Sequence, residues 1–401
     1  MATRSPDVIE EFLDEAQFEL RHEAQRRSFA WYLTGLLGPL ERKSVEPIAG
    51  LVDPEHIKKT QGTLLHFLAY GTWKDAPLRA LATRFVLQRA APRTSDVLGV
   101  ILDDTGMLKQ GSASVGVQRQ YTGSAGKIAN CQIAVTAAIY TARETIPLDI
   151  RLYLPERWAS DPKRRAKVGV PEEVIFATKL EIGLKILTTA HETGLPLGKV
   201  LLADAGYGYS AAFRNAVLDL GLRYGVGVQS TQRVWDAAGT WTRPMTVKEL
   251  AAVMSPREFR RTTWREGREG KRMSARFATM RVQVATRDDE PTQKDPRQWL
   301  VIEWRDGEAE PVHFYLCTFP PRWSRKRIVR TLKERWRIER MHEDLKGEVG
   351  FDHYEGRSWV GWHHHVTAAM CAYAVLVAER ATAFPPCKAA RTEARSHGRA
   401  A

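Results

Sequence analysis

The spacing of apolar residues divides the chain into regions of different periodicity. From residue 8 to about residue 92, apolar positions recur every three to four residues, as in "VIEEFLDEAQFELRHEAQRRSFAWYLTGLL", and Gly and Pro interrupt the pattern. This spacing is typical of amphipathic helices. It predicts an all-helical N-terminal region that ends at the linker "APRTSD".

After Asp96 the pattern changes to short apolar and β-rich runs, which are typical of strands. The predicted elements are strands at 97–104, 131–140 and 145–155, a helix at 171–194, a strand at 199–204, a helix at 210–221 and a strand at 223–228. Three strands on short connections, followed by helix, strand, helix and strand, is the element order of an RNase H-like fold.

A third region interrupts that order. Residues 230 to about 318 mix Trp, Thr, Val and Arg in short alternating runs, which predict a mostly β insertion. Helical spacing returns from Ser324 to Leu345 and from Trp362 to Arg380. We therefore predict an α/β protein with an RNase H-like core of the retroviral-integrase type, an all-helical N-terminal domain and a β-rich insertion. The predicted boundaries are 1–93 for the helical domain, 94–229 and 319–382 for the two parts of the core, 230–318 for the insertion, and 383–401 for a basic disordered tail.

The charge balance points to a polyanionic partner. The chain has 60 Lys and Arg against 47 Asp and Glu, a net charge of +13, which suits nucleic acid. No apolar run approaches the roughly 20 residues of a membrane span, and the acidic N-terminus is unlike a signal peptide. The four cysteines form no CxxC pair, which fits a reducing compartment. These features predict a cytoplasmic, nucleoid-associated protein.

Two predicted strands end in aspartate, Asp103 and Asp104 in "VILDDTG" and Asp204 in "LLADAGYG". A carboxylate at the end of a buried strand is costly to desolvate, and a divalent cation can compensate where several converge. Each aspartate could equally cap the loop or helix that follows. Together they prompt a search for a third acid, because two-metal phosphoryl transfer needs several oxygen ligands.

The segment "RWRIERMHEDLK", residues 335–346, supplies candidates for that acid. At roughly 100° per residue, Ile338, Met341 and Leu345 form one apolar stripe. A polar stripe beside it consists of Arg335, Glu339, His342 and Lys346. From this segment alone, ordinary helix-surface charges with i,i+4 pairing explain the pattern equally well.

In chain order, "DDTG", "ADAGYG" and "RWRIERMHEDLK" resemble the three acidic motifs of DDE transposases from bacterial insertion sequences. The third motif of that family has the form Y-x2-R-x3-E-x6-K, and Arg335, Glu339 and Lys346 fit its last three positions, with Leu332 in place of the Tyr. "LLHFLAYGTWKDAPLR", "VGVQRQYTGSAGKIANCQIAV", "TWREGREGKRMSARFA" and "FDHYEGRSWVGWHHH" are similar to segments of the insertion-sequence family numbered 701, within the larger family 4 clan.

The resemblance implies that Asp104, Asp204 and Glu339 are metal ligands in a two-metal site for Mg²⁺, with Mn²⁺ as a substitute. Asp104 is preferred because the family's ligand directly precedes the Thr. Only one of two strand neighbours can face a site, so Asp103 remains the alternative. Arg335 and Lys346 resemble the family's phosphate-contacting pair, although they could also only balance the charge of Glu339.

The function implied is cut-and-paste transposition. The protein would bind terminal inverted repeats and target DNA as a homo-oligomer, cleave DNA strands and join a freed 3′-OH to the target, without nucleotide or membrane. Its helical domain, 1–93, would bind DNA. Two alternatives stay open: an inactive or domesticated DNA-binding derivative of a transposase, and an RNase H-like nuclease of another kind.

Two further segments are candidates for DNA contacts. Residues 255–282 hold nine Arg and Lys against three Glu, and cations interleaved with aromatic rings suit phosphate tracking and base stacking. The candidates here are Trp264, Arg265, Arg268, Lys271 and Arg272, and those in the glycine-rich loop 109–130 are Lys109, Arg119, Tyr121 and Lys127. A solvated hairpin and simple turns are the alternatives.

Two other patterns resemble a zinc site and a nucleotide-binding loop but do not fit either. The three histidines of "WHHH", residues 363–365, diverge by about 100° per residue on a helix and cannot share one zinc ion. "GSASVGVQRQ" lacks the Lys-Ser/Thr ending of a P-loop.

Overall fold

A computed structural model describes residues 8–383 except 268, 269, 271 and 286–296. The predicted tail 383–401 lies outside the described residues apart from Ala383. Within the described part of the chain, the fold is mixed α/β, with helices packed against one large mixed sheet. This confirms the predicted α/β class.

The N-terminal region is helical, as its apolar spacing predicts. Its helices are α1 (Val8–Ala16), α2 (Glu23–Leu37), α3 (Val45–Val52), α4 (Ile57–Ala69) and α5 (Asp75–Ala90). Apolar side chains such as Phe12, Leu36 and Phe85 are fully buried. They belong to one hydrophobic core that also includes the last helix, α14 (Trp359–Ala383).

Histidines of α14 hold the N-terminal helices in place. The His364 ring stacks on the Trp73 indole at 3.7 Å between centroids, and its nitrogens lie 2.8 Å from the Leu68 carbonyl and 3.0 Å from the Trp73 carbonyl. The Nδ1 atom of His365 lies 2.8 Å from the Tyr32 hydroxyl. These two members of "WHHH" therefore act in packing.

By length and composition, α14 could cross a membrane. However, 67% of its most apolar 18-residue window is buried inside the protein. The helix is therefore placed as the central helix of a folded core, with α5 and β4 packed along it.

The middle of the sheet contains three parallel strands, and antiparallel strands extend it on both sides. The strands are β1 (Val97–Leu108), β2 (Gln118–Thr122), β3 (Lys127–Thr141), β4 (Thr145–Tyr153), β5 (Val200–Ala203) and β6 (Arg223–Val228). The helices among them are α6 (Glu156–Ala159), α7 (Pro162–Val168), α8 (Lys179–Glu192), α9 (Ala205–Gly208) and α10 (Ala211–Asp219). Strands β1, β5 and β6 are parallel, and β3 pairs antiparallel with β1, β2 and β4. All four residues of β5 are buried, as expected for a parallel strand covered on both faces.

Two element predictions in this region were wrong. The segment 118–122 is a strand, β2, because it pairs with the start of β3 although its "QRQYT" sequence shows little apolar signal. The long helix begins at Lys179 and not near Pro171. Thr178 starts it through a capping box, in which its hydroxyl accepts from the Glu181 amide and the Glu181 carboxylate accepts from the Thr178 amide.

The predicted insertion is mostly β and extends the same sheet. Its elements are β7 (Arg233–Asp236), β8 (Met245–Thr246), α11 (Val247–Val253), β9 (Arg260–Glu266), β10 (Arg272–Val284), β11 (Gln298–Trp304) and β12 (His313–Cys317). Strand β12 pairs antiparallel with β6, with Cys317 opposite Gly225. The predicted helix from Ser324 to Leu345 is two helices, α12 (Arg325–Lys333) and α13 (Trp336–Gly347).

A buried ion pair joins the insertion to the end of α12. Glu303 is fully buried, and both of its carboxylate oxygens lie 2.6 Å from the Lys333 ammonium. Tyr315 donates to the same carboxylate at 2.8 Å, and the Trp264 ring covers the ammonium at 4.8 Å. Burial raises the pKa of Glu303, but Lys333 outweighs it and holds that pKa below its usual value.

We predict that Lys333→Met destabilises the fold by about 2–3 kcal/mol, because it leaves the buried Glu303 charge with only the half-exposed Arg305 guanidinium, 3.1 Å away, as its ionic partner. The double variant Glu303→Met/Lys333→Met should lose much less, since both charges are gone. Urea unfolding of the wild type and the two variants measures this. An equal loss in the single and double variants would contradict the ion-pair explanation.

Candidate active site

The first two aspartates lie within a strand and not at its end, which corrects the prediction. β1 continues to Leu108, paired with Cys131 of β3. On the other side of β1, the parallel partner β5 stops at Ala203, and its register has Ile101 opposite Leu202. Asp103 and Asp104 come two and three residues after Ile101, the last position of β1 that pairs with β5, so they lie where one side of β1 is open.

The third aspartate, Asp204, follows β5 at the same edge. It is the N-cap of α9, and its carboxylate accepts a hydrogen bond from the Gly206 amide at 2.9 Å. Extending the register of β1 and β5 by two residues brings Asp204 opposite Asp103. Two carboxylates from distant positions in the sequence are thus neighbours across parallel strands.

Asp103 and Asp104 face opposite sides of the sheet, as alternation along a strand requires. Asp103 pairs across the sheet with Thr136, whose hydroxyl lies 2.8 Å from Nε2 of His342 on α13. Asp104 forms an ion pair with Lys179, the first residue of α8. Asp103 therefore lies on the α13 face and Asp104 on the α8 face.

Arg335 connects the third motif to the aspartates. It stands at the N-cap of α13, and its guanidinium donates to the Asp103 carboxylate at 2.8 Å. The same guanidinium also donates to Glu339, one helical turn later. This hydrogen bond uses only one of the two Glu339 oxygens, and the Glu339 side chain is 53% exposed.

These acids line one cavity of about 960 Å³. Its lining includes Asp103, Asp104, Asp204, Arg335, Glu339, His342, Glu343, Lys346, Lys179, Tyr121, Ser124, Tyr153, Tyr207 and Tyr209. The three sequence motifs therefore meet at one place.

Burial makes the carboxylates electrostatically costly. Burial raises the pKa of Asp103 to about 7; Arg335 opposes the rise, and the neighbouring carboxylates Asp204 and Asp104 add to it. Burial also raises the pKa of Asp204, again opposed by Arg335 and increased by Asp104. Raised carboxylate pKa values of this kind recur where acids are gathered in a cleft, as at catalytic sites, and they destabilise the ionised, folded state.

The donor set fits hard divalent cations. Within residues 8–383, leaving out the undescribed positions, no three His, Cys, Asp or Glu side chains stand at mutual metal-binding distance. Asp103 and Glu339 are instead paired with Arg335, and Asp104 is paired with Lys179, whereas Asp204 accepts from the Gly206 amide. Carboxylate oxygens are the ligands that Mg²⁺ and Mn²⁺ prefer. The raised pKa values of Asp103 and Asp204 indicate that nearby cations compensate the negative charge only in part.

The predicted DNA contacts near the acids fall into two groups. Lys346 and Tyr121 line the cavity, where Lys346 donates to the Ser124 hydroxyl at 2.7 Å and Tyr121 is 65% exposed. Arg119 and Lys127 are exposed on the β2–β3 hairpin. Lys109 instead donates to the Tyr354 carbonyl, and burial lowers its pKa.

Of the predicted contacts in the insertion, the three that the structure describes do not line the cavity. Trp264 packs edge-on against Phe277 at 5.9 Å, and the Arg265 guanidinium stacks on Trp336 at 3.7 Å. Arg272 is exposed and lies 3.8 Å from a Glu266 oxygen. Arg268 and Lys271 lie outside the described residues.

Leu332, which replaces the motif's tyrosine, is a core residue. It is 6% exposed and lies beside Phe319 against Gly225 of β6, where an added Cβ would meet both side chains. It does not line the cavity. The departure from the motif therefore leaves the lining of the acidic cavity unchanged.

Lys179, which pairs with Asp104, was not among the residues predicted for the site. A signal for it exists, because the Thr178 and Glu181 capping box marks the first turn of α8. The side chains of that first turn line the cavity. His342 was assigned only to the polar stripe of α13, but it is 9% exposed and contacts Thr136 beside Asp103.

We predict that Asp103→Asn stabilises the protein above pH 7 by roughly 1–3 kcal/mol, in EDTA. The folded pKa of Asp103 is raised to about 7. Folded wild type therefore holds a proton that the unfolded chain has already released, and it loses stability as the pH rises from about 4 to about 7. Asn removes this loss.

Thermal melts of both proteins between pH 4 and 8 measure the effect. The melting temperature of the variant should exceed that of the wild type at pH 8, with the gap closing toward pH 4. A gap that is constant over this range would rule out the raised pKa.

Comparison with known proteins gives matches along most of the chain. The profile of the family described as DDE superfamily endonuclease matches residues 17–310 of the 401. That range includes Asp103, Asp104 and Asp204 but not Glu339. The "Probable transposase for insertion sequence element IS701" of Microchaete diplosiphon is 32% identical over 208 residues, which are 52% of this chain and 50% of that protein. The chain thus spans about half the length of this curated relative.

Proposed function

The chain belongs to the DDE superfamily endonucleases, and from this premise we propose that it is the transposase of an insertion sequence. It binds the terminal inverted repeats of its element, cleaves DNA strands and transfers the freed 3′-OH to target DNA. The observation that carries the proposal is that Asp103, Asp204 and Glu339, from three separate segments, line one cavity around Arg335.

The topology supports an RNase H-like core. Strand order β4-β3-β1-β5-β6, with β3 antiparallel and the last three parallel, follows the element order expected from the sequence. The proposed division keeps 94–229 and 319–382 as the two parts of this core and 230–318 as the insertion. The helical region 1–93 remains the proposed DNA-binding domain.

We propose Asp103, Asp204 and Glu339 as the ligands of Mg²⁺ or Mn²⁺. Asp103 is preferred here to Asp104 because its side chain lies on the α13 face, with Arg335 and Glu339, whereas Asp104 is paired with Lys179 on the α8 face. The sequence resemblance alone implies Asp104. Bound divalent cations would supply an activated water and charge stabilisation for the leaving 3′ oxygen.

The chain's own cations position the DNA. Arg335 lies between the carboxylates, so its guanidinium can bind a non-bridging phosphate oxygen as it now binds Asp103. Lys346 lies about three turns after Arg335 along α13 and donates to Ser124 at the tip of the β2–β3 hairpin, near the exposed Tyr121. A scissile phosphate would thus be held between α13 and this hairpin.

The partners and location follow from this function. We propose that copies of the chain assemble as a homo-oligomer on paired element ends. The site of action is then the bacterial nucleoid in the cytoplasm. The net charge of +13 favours association with duplex DNA.

We predict that Asp204→Asn and Glu339→Gln each lower Mg²⁺-dependent cleavage of end-containing DNA by at least about 100-fold, while DNA binding is retained. The DNA substrate for this assay carries the terminal inverted repeats taken from the sequence on either side of the gene for this protein. Glu343→Gln is the matched control, because Glu343 is on the same helix and lines the same cavity but is 69% exposed and paired with Arg340.

Asp103→Asn and Asp104→Asn, compared in the same assay, separate the two ligand assignments. The proposal expects the larger loss from Asp103→Asn. Cleavage at wild-type rate by the Asp204 and Glu339 variants would exclude this site. Wild-type protein that binds the repeats but never cuts them would instead support the inactive, DNA-binding alternative.

A further inference from the structure

Helix α12 and the loop before it form an unusually cationic segment. Residues 322–333 hold six Arg and Lys and no acid. Lys333 is neutralised by Glu303. Arg322, Lys326, Arg327 and Arg330 are exposed, and none of them forms an ion pair with any carboxylate in the described part of the chain. Lys326 and Arg330 stand one turn apart, where like charges repel.

Strand β9 and the turn before it add cations to the same side. α12 packs against β9. The exposed Arg260 is the first residue of β9, and the exposed Arg257 lies in the turn before it. Burial and the nearby Arg260 guanidinium lower the pKa of Arg325. The Arg325 Nε is buried and has no hydrogen-bond partner among the described residues. By contrast, Arg261 is fully paired with Asp306 at 2.8 Å.

These residues form one surface, which we name the α12 cationic surface. It consists of Arg257, Arg260, Arg322, Arg325, Lys326, Arg327 and Arg330. A ring fixes part of it, because the Arg327 guanidinium stacks on Trp323 at 4.0 Å. Such stacking holds the face of the guanidinium and leaves its N–H edge free for oxygen acceptors.

We propose that the α12 cationic surface binds the phosphate backbone of duplex DNA outside the acidic cavity. Cations at close range without an acidic partner repel one another, and phosphodiesters, which stand at regular spacing along a duplex, relieve this repulsion and accept their hydrogen bonds. No base-reading geometry is required, so the contact is independent of sequence. The inference rests on the proposed function, because it assigns a second DNA contact to the same enzyme.

The chain connects this surface to the acidic cavity. α12 ends at Lys333, and Arg335 two residues later lines the cavity. A duplex held on α12 therefore lies against the segment that carries the third acidic motif. None of the seven residues lines the acidic cavity, so they can be altered without changing the acids.

The test is binding of a labelled duplex of arbitrary sequence, measured by fluorescence anisotropy in EDTA at several salt concentrations. Lys326→Gln/Arg330→Gln should weaken binding by about tenfold and reduce the slope of log affinity against log salt by about two, at roughly 0.9 per phosphate contact. Both positions are exposed, and Gln is a good helix former, so circular dichroism should be unchanged.

Lys199→Gln/Arg223→Gln is the matched control. It removes the same two charges from exposed positions at the starts of β5 and β6, the opposite end of the parallel strands from the acids. It should leave both affinity and salt slope unchanged. An equal loss in the control pair, or no loss in the α12 pair, would overturn the inference and leave the proposed cleavage chemistry intact.

Two other results would also decide the matter. If the Lys326→Gln/Arg330→Gln variant binds anionic phosphatidylglycerol vesicles more weakly than the wild type but binds duplex DNA equally well, the surface binds lipid headgroups and the inference is overturned. If the wild-type protein binds no duplex at all, the proposed function fails together with the inference. In that case the wild-type protein would also fail to cut DNA in the cleavage assay described above.

Discussion

The shape of the acidic cavity depends on the contact of Arg335 with two carboxylates. Three acids gathered at a partly buried sheet edge repel one another, and burial adds a further cost. Arg335 offsets part of it by donating to both Asp103 and Glu339. Because Arg335 begins α13 while Asp103 belongs to β1, the same guanidinium also fixes the late helix against the early strand.

The neighbouring elements support that contact from both sides. Lys333, two residues before Arg335, is held by buried Glu303 of the insertion, and Trp336, the residue after Arg335, lies under the Arg265 guanidinium. The insertion is therefore attached to the junction of α12 and α13 on either side of Arg335. Both contacts restrain this junction.

Much of the secondary structure could be predicted from residue patterns. Apolar spacing located the N-terminal helices, the core strands and the β character of the insertion, because those elements bury a regular apolar face. β2 was missed because its "QRQYT" residues include no aliphatic side chain and show no apolar alternation. The extent of β1 beyond the aspartates was missed because only pairing with β3 defines it.

The candidate site was predictable in its members but not in its geometry. The motifs identified Asp204, Glu339 and Arg335, and all of them line the cavity. Which of Asp103 and Asp104 faces α13 depends on strand register, which the local sequence does not encode. The pairing of Lys179 with Asp104 likewise depends on where α8 crosses the sheet.

The central claim is that the three acids form one divalent-cation site, and iron-directed cleavage of the polypeptide tests it most directly. Fe²⁺ with ascorbate and peroxide generates hydroxyl radicals that cut the backbone close to the bound ion. The account predicts cuts near residues 103, 204 and 339 in the same sample, all suppressed by excess Mg²⁺. Cuts that spare any one of these three segments, or that persist in Mg²⁺, would contradict it.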